Sequence, residues 1–273
     1  MTGEFELRSG GYEAIVTARA AALRRLTYEG RDLVVPFAAG GPITDFRGII
    51  AAPWPNRIAD GKYTFDGAEY QVPLNEPARG CALHGFLFEQ DWMLESHEES
   101  AVTLSCSPAP TAGYPHALRL TAEYRLTEAG LRIAVTAANL GGTAAPYGVC
   151  PHPYLVAGPS PLDQWILEIP AGEFLDVTPD RLLPVDRHTV EGHAFDFRSP
   201  RAIGATEIDH AFTDIAFDDG GHARVLVRDP KPVKGAQPRR SRNAVSAARA
   251  SGPSYRSMHH CASRPSVASI RSP

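Results

Sequence analysis

The chain is predicted to fold as an all-β sandwich of many antiparallel strands, and three observations carry that prediction. Glycine and proline supply 24 residues each, a turn-rich composition that favours short strands over long helices. Apolar and polar residues alternate with a period near two in one run after another. Helical periodicity is weak and confined to the stretch from Ala18 to Leu26. With 273 residues, 43% of them hydrophobic, there is material for a substantial core, and all-β folds of this length often form one domain.

The first clear element is KYTFDGAEYQV, Lys62 to Val72. Its two short runs meet at Asp66-Gly67, a dipeptide that suits hairpin turns because they need positive φ. AVTLSCS, from Ala101, reads as a further short strand. LRLTAEYRL, Leu118 to Leu126, alternates strictly, turns through TEAG, and continues as LRIAVTAANL, Leu131 to Leu140. That is a second hairpin with one face toward a core. QWILEIP, DIAF and ARVLVRDP add short strands toward Pro230, and the whole reads as an antiparallel sandwich.

The pattern stops at Pro230. Residues Lys231 to Pro273 hold nine of the 27 Lys and Arg and no Asp or Glu, which leaves the first 230 residues with 18 basic and 31 acidic groups. The tail is rich in Ser, Arg, Ala and Pro and shows no alternation. Such a segment buries too little surface to offset its ordering entropy. The expected organisation is a β-sandwich over residues 1–230, incomplete at its C-terminal end, and a basic, disordered tail over 231–273. A nucleic-acid-binding arm is a second reading of the tail. Its scattered charges, single aromatic (Tyr255) and acidic neighbour speak against that reading. A third reading, favoured here, is an out-of-frame read of a GC-rich gene that replaces the natural ending.

Composition also narrows the function. Cys81, Cys106, Cys150 and Cys261 lie far apart with no CxxC pair, which argues against a metal knuckle or a disulfide framework and fits a reducing compartment. The N-terminal MTGEFELRSGGYEAIV places acids where a secretory signal needs basic and then apolar residues. No run approaches the roughly 18 apolar residues of a membrane span. A cytoplasmic protein with no membrane and no nucleic-acid partner is expected, and no feature of the sequence sets an oligomeric state.

Several residues carry candidate chemistry, and each alone has an ordinary structural reading. In APYGVCPHPYL, His152 stands between two prolines with no acid or base beside it. It reads as a stiffly held proton-transfer group or as a loop histidine bonded to a carbonyl. His84 in CALHGF precedes a glycine, so the backbone can approach another group closely there. Arg57 in PWPNRIADG follows Trp54 and Asn56, and an arginine fork beside an aromatic suits a polyhydroxyl or carboxylate ligand. Asp209 in EIDHAF also reads as an ordinary strand entry.

Together these segments are more specific. PWPNRIADGKYTFDGAEYQVPLNEPARGCALHGF, APYGVCPHPYL and IDHAF resemble, in order and spacing, the aldose 1-epimerase (galactose mutarotase) family over most of Gly11 to Pro230. The resemblance implies a β-supersandwich, no metal or organic cofactor, and a free aldose of galactose or glucose type as the small-molecule partner, interconverted between its α and β anomers. It implies His152 as the general acid, His84 and Arg57 as groups that bind hydroxyls and polarise the ring oxygen, and Asp209 as a further hydroxyl ligand. Asn56 and Trp54 are expected as neighbours. Fixed φ on both sides of His152 would then pre-aim the imidazole.

The family's base is a glutamate near the C-terminus, and nothing from Lys231 on is Glu or Asp. The expectation is an isomerase that keeps the acid and the sugar clamps but lacks the base. The alternative is a catalytically silent sugar-binding protein on the same scaffold. A hexose 6-phosphate branch would need a basic cluster, and Arg57 with Arg79 is too little for one.

Overall fold

Alternation in the sequence becomes alternation in burial. Along Leu118–Thr127, Leu118, Leu120, Ala122, Tyr124 and Leu126 are buried while the residues between them are not. The strand pairs with Gly130–Asn139 in a register that closes at Thr127 opposite Gly130, as a tight hairpin requires. The Lys62–Phe65 and Ala68–Gln71 hairpin turns at Asp66 and Gly67, whose φ values are 51° and 79°. Both hairpins therefore form where the sequence places them.

A computed structural model describes residues 3–231 and, as backbone, the strands Arg242–Ala248 and Val267–Arg271. Among the described residues the chain is all-β, with helix limited to four three-residue 3₁₀ turns. A four-stranded antiparallel sheet takes Glu4–Ser9, Tyr12–Thr17, Leu23–Tyr28 and Arg31–Asp32 in chain order. It shares one core with a nine-stranded sheet that begins Met93–Glu98, Ala101–Cys106, Leu118–Thr127, Gly130–Asn139. Leu7, Val16 and Leu26 from the first sheet meet Leu104, Leu120 and Tyr124 from the second in that cluster. The fully buried Tyr124 donates its hydroxyl to the Ala21 carbonyl.

Two expectations need correction. The segment from Ala18 to Leu26 contains no helical turn: Ala20 and Ala21 take φ of 62° and 46°, the Thr17 N–H donates to the Ala22 carbonyl, and Leu23–Tyr28 continues as a strand. Small residues packed to zero exposure let the chain make this left-handed reversal under the core. The tail, expected to be disordered with the closing strands lost, supplies Arg242–Ala248 and Val267–Arg271 to the large sheet. The first pairs with His222–Arg228 and the second with Gly130–Asn139. Two unpaired backbone edges outweigh the polar composition there, because each added strand satisfies a row of N–H and C=O groups. The other residues from 232 on lie outside the described set, and with them the readings of disorder and of out-of-frame origin.

A smaller three-stranded sheet, Pro184–Thr189, Ala171–Val177 and Phe212–Ile215, has its own apolar cluster of Phe174, Val190 and Phe195. It forms one wall of the cleft described below. The facing wall is built from short pairs: Arg57–Ala59 with Cys81–Leu83 and Ile50–Ala51 with Cys150–Pro151.

Candidate active site

His152 owes its place to the prolines beside it. Pro151 closes the pairing with Ile50–Ala51. With no N–H on either proline, the His152 amide carries the link, donating to the Ile49 carbonyl at 3.0 Å while its own carbonyl accepts from Gly48 at 2.8 Å. The imidazole is fixed as well, its Nδ1 lying 3.1 Å from the Phe46 carbonyl oxygen. A carbonyl only accepts, so Nδ1 carries a proton, and Nε2 is the nitrogen left to titrate. Burial pushes the His152 pKa down, partly opposed by the Phe46 carbonyl and by the charge of Asp209.

His84 is held in the opposite sense. Its backbone is left-handed at φ 59°, and Gly85 follows at 74°. A Cβ on Gly85 would fall 1.9 Å from the Ala52 carbonyl oxygen, which is the close approach that the HG dipeptide predicts. The Asn56 N–H donates to His84 Nδ1 at 3.1 Å, and the Asn56 carbonyl accepts from the His84 N–H at 2.9 Å. His84 Nδ1 is therefore an acceptor and its proton sits on Nε2. Burial, with lesser repulsion from His152 and Arg57, lowers its pKa to about 3, so it stays a neutral donor. The two rings lie 4.8 Å apart between centroids.

Arg57 meets Glu76 through its fork, Nε to Oε2 at 2.7 Å and Nη2 to Oε1 at 3.0 Å. Its Nη1 donates to Asn56 Oδ1 at 3.3 Å. The pair is mostly buried, with side-chain exposures of 12% and 16%, and the bond to Glu76 raises the guanidinium pKa. The fork that the sequence suggests for a ligand is occupied by this carboxylate, leaving two outer N–H groups on the remaining edges.

These residues line a cleft of about 550 Å³ together with Asp45, Phe46, Tyr154, Asp209 and His210, a size within the range of small-molecule sites. Asp209 stands on the wall of the smaller sheet, just ahead of Phe212–Ile215. Among the described residues its carboxylate makes no ion pair, yet its charge raises the proton affinity of both Arg57 and His152. The expected residues Arg57, His84, His152, Asp209 and Asn56 thus all converge on one cavity. Trp54 does not: it is 5% exposed, donates from Nε1 to the Ala82 carbonyl, and packs on Phe86 and Tyr114. Trp54 belongs to the main apolar core cluster.

Sequence reasoning passes over three contributors. Glu76 stands inside the LNEPARG segment, which signals a motif without a role. Tyr154 stands in PHPYL and donates its hydroxyl to the Asp45 carbonyl at 2.8 Å. The Thr44–Phe46 turn holds Asp45 and Phe46 at φ of 55° and 56°, and with no glycine or asparagine there, no sequence signal announces it. Its Phe46 also sets a ring edge on His84, 5.0 Å between centroids. Among the described residues, no group of three or more His, Cys, Asp or Glu side chains is arranged to hold a metal ion, and no helix is long and apolar enough to cross a membrane.

Comparison with known proteins agrees with this architecture. The family described as aldose 1-epimerase matches residues 4–235. An uncharacterised Escherichia coli (strain K12) protein, YihR, is 36% identical over 207 residues, covering 76% of this chain and 67% of that protein. Rattus norvegicus galactose mutarotase is 28% identical over 221 residues, 74% of this chain and 62% of that enzyme. The chain therefore spans roughly two thirds of the length of these relatives. The crystal structure of a GalM/aldose epimerase homologue from C. elegans superposes with a TM-score of 0.76 at 20% identity, covering 100% of this chain and 89% of that one, so the all-β fold is of the galactose mutarotase type. A family match over most of the chain, on the segments that build the cleft, makes this protein a member of the aldose 1-epimerase family.

Proposed function

We propose that the cleft binds a free hexopyranose of galactose or glucose type and interconverts its α and β anomers by opening the ring. The observation that supports this is the opposed protonation of two imidazoles in one cavity: His84 offers a fixed Nε2–H, and His152 keeps Nε2 for a proton that comes and goes. In the opening step, protonated His152 gives its Nε2 proton to the ring oxygen as the C1–O5 bond breaks. The anomeric hydroxyl loses its proton and becomes the aldehyde carbonyl. Rotation about C1–C2 turns the other carbonyl face inward, closure returns the ring-oxygen proton to His152, and O1 is reprotonated. His84 and the two outer N–H groups of Arg57 hold hydroxyls and polarise the ring oxygen, and Asp209 accepts from further hydroxyls.

The weak point is the base. With no Glu or Asp after residue 230, the O1 proton passes to water or to Asp209, because Glu76 is engaged by Arg57 and Asp45 by Arg47. Turnover is then reduced by about 10²- to 10⁴-fold, the usual worth of a positioned proton-transfer group. The same absence favours a second reading, a sugar-binding protein without catalysis. A neutral sugar is preferred over a hexose phosphate because Arg57 is already charge-paired. NMR titration of the wild-type chain with galactose and glucose is expected to shift the His84 and His152 imidazole resonances together. Shifts without faster anomer exchange would favour the silent binder, and no shift of either ring would remove both readings.

A further inference from the structure

The two walls of the cleft belong to different sheets, and one side chain links them. Arg181 lies in the turn between Ala171–Val177 and Pro184–Thr189. That turn is closed by the Thr178 N–H donating to the Leu183 carbonyl at 2.9 Å, with Leu182 at a left-handed φ of 53°. From there the guanidinium reaches across to the Arg57 wall. Its Nε donates to the Arg79 carbonyl at 2.8 Å, and its Nη2 donates to the Gly80 carbonyl and to Asp60 Oδ1, each at 2.8 Å. Gly80 is left-handed at φ 59°, and a Cβ there would stand 3.3 Å from Arg181 Nη2. Among the described residues, no other side chain from 171 to 216 makes a hydrogen bond or ion pair to residues 56 to 84.

The acceptors are well placed to transmit position. Asp60 follows Arg57–Ala59 and Gly80 precedes Cys81–Leu83, the antiparallel pair that ends at His84. Arg79 and Gly80 end the turn that starts from Glu76, the partner of Arg57. On the other side, Leu175 lies on the same strand that runs up to the Arg181 turn. Its N–H donates to the Ala211 carbonyl at 2.8 Å, next to Asp209 and His210. Leu175, Asp209 and His210 all line the cleft.

We infer that Arg181 is a positioning residue, a clasp whose three donors hold the Asp209 wall at a set distance from the Arg57–His84 wall and so fix the width of the sugar cleft. Its effect on sugar rests on the function proposed above, whereas its effect on the walls does not. A planar fork spans two carbonyls and a carboxylate at once, and a lysine cannot. Loss of the clasp leaves the small sheet tied to that wall by packing alone, so local opening becomes easier while the main core is untouched.

Hydrogen exchange on the full chain tests this without any sugar. In Arg181→Ala, amides of Ala171–Val177 and Phe212–Ile215 should exchange roughly tenfold faster or more, with Leu118–Thr127 and Gly130–Asn139 unchanged. Arg181→Lys should restore protection in part, and Asp60→Asn, which keeps both carbonyl acceptors, should fall between wild type and Arg181→Ala. Galactose affinity measured on the same variants should weaken in the same order, roughly tenfold for Arg181→Ala, since a misplaced wall loses contacts a sugar needs simultaneously. Unchanged exchange in the small sheet would overturn the clasp, as would equal acceleration in the main core, which would make Arg181 a general stabilising residue. If the wild-type chain binds no aldose, the functional reading fails while the exchange result still decides the clasp.

Discussion

His84 gives the site both its donor and its acid sensitivity. With a folded-state pKa of about 3 against an ordinary 6.5, it binds fewer protons when folded than when unfolded between those values. Stability contributed by keeping it neutral is therefore fully present above about 6.5 and is lost as pH falls toward 3. Melting temperature followed from pH 7 to pH 4 should fall, and His84→Asn, which tolerates the left-handed backbone, should show a shallower fall. An equal slope in the variant would assign the acid sensitivity elsewhere. The Arg57–Glu76 pair makes a second prediction at this scale. Glu76→Gln leaves a mostly buried guanidinium without its charge partner, a loss on the order of 2 kcal/mol, below the figure for fully enclosed pairs because both side chains touch solvent. Chemical denaturation checks the stability, and sugar affinity should drop roughly tenfold as Arg57 loses its aim.

At the scale of elements, legibility follows how local the determining physics is. Leu118–Thr127 and Gly130–Asn139 could be read in advance because a half-buried strand writes its burial into every second residue. Asp66-Gly67 was equally readable, since its turn geometry restricts the residue types. The Thr44–Phe46 turn was not, because Asp45 and Phe46 are forced into left-handed backbone by what surrounds them: Tyr154 grips the Asp45 carbonyl and His152 the Phe46 carbonyl. Glu76 was visible as part of a motif, but its partner is known only once Arg57–Ala59 lies beside Cys81–Leu83. The tail strands were missed because their pairing comes from neighbouring edges rather than from their own composition. Removing residues 231–273 should bare the edges of Gly130–Asn139 and His222–Arg228 and drive self-association. Light scattering on the truncated and full chains compares them, and a truncated chain that stays monomeric at equal concentration would contradict the pairing.

Across the whole molecule, a large two-sheet core supports a wall bearing Arg57, His84 and His152, and a smaller sheet brings Asp209 to face them. The acidic surplus of the first 230 residues and the basic remainder are two charge regimes in one chain, and among the described residues those that line the cleft all belong to the first. The proposed chemistry turns on whether His152 moves a proton onto a bound sugar when residues 231 to 273 offer no Glu or Asp. Magnetisation exchange between the anomers of glucose or galactose, recorded by NMR with wild-type and His152→Asn chains from pH 5 to pH 8, measures this directly. The account predicts a wild-type acceleration over buffer that is lost in His152→Asn and grows as pH falls below 6.5, because burial lowers the His152 pKa and only the protonated ring donates. An acceleration that survives in His152→Asn, or one that increases with rising pH, would contradict it.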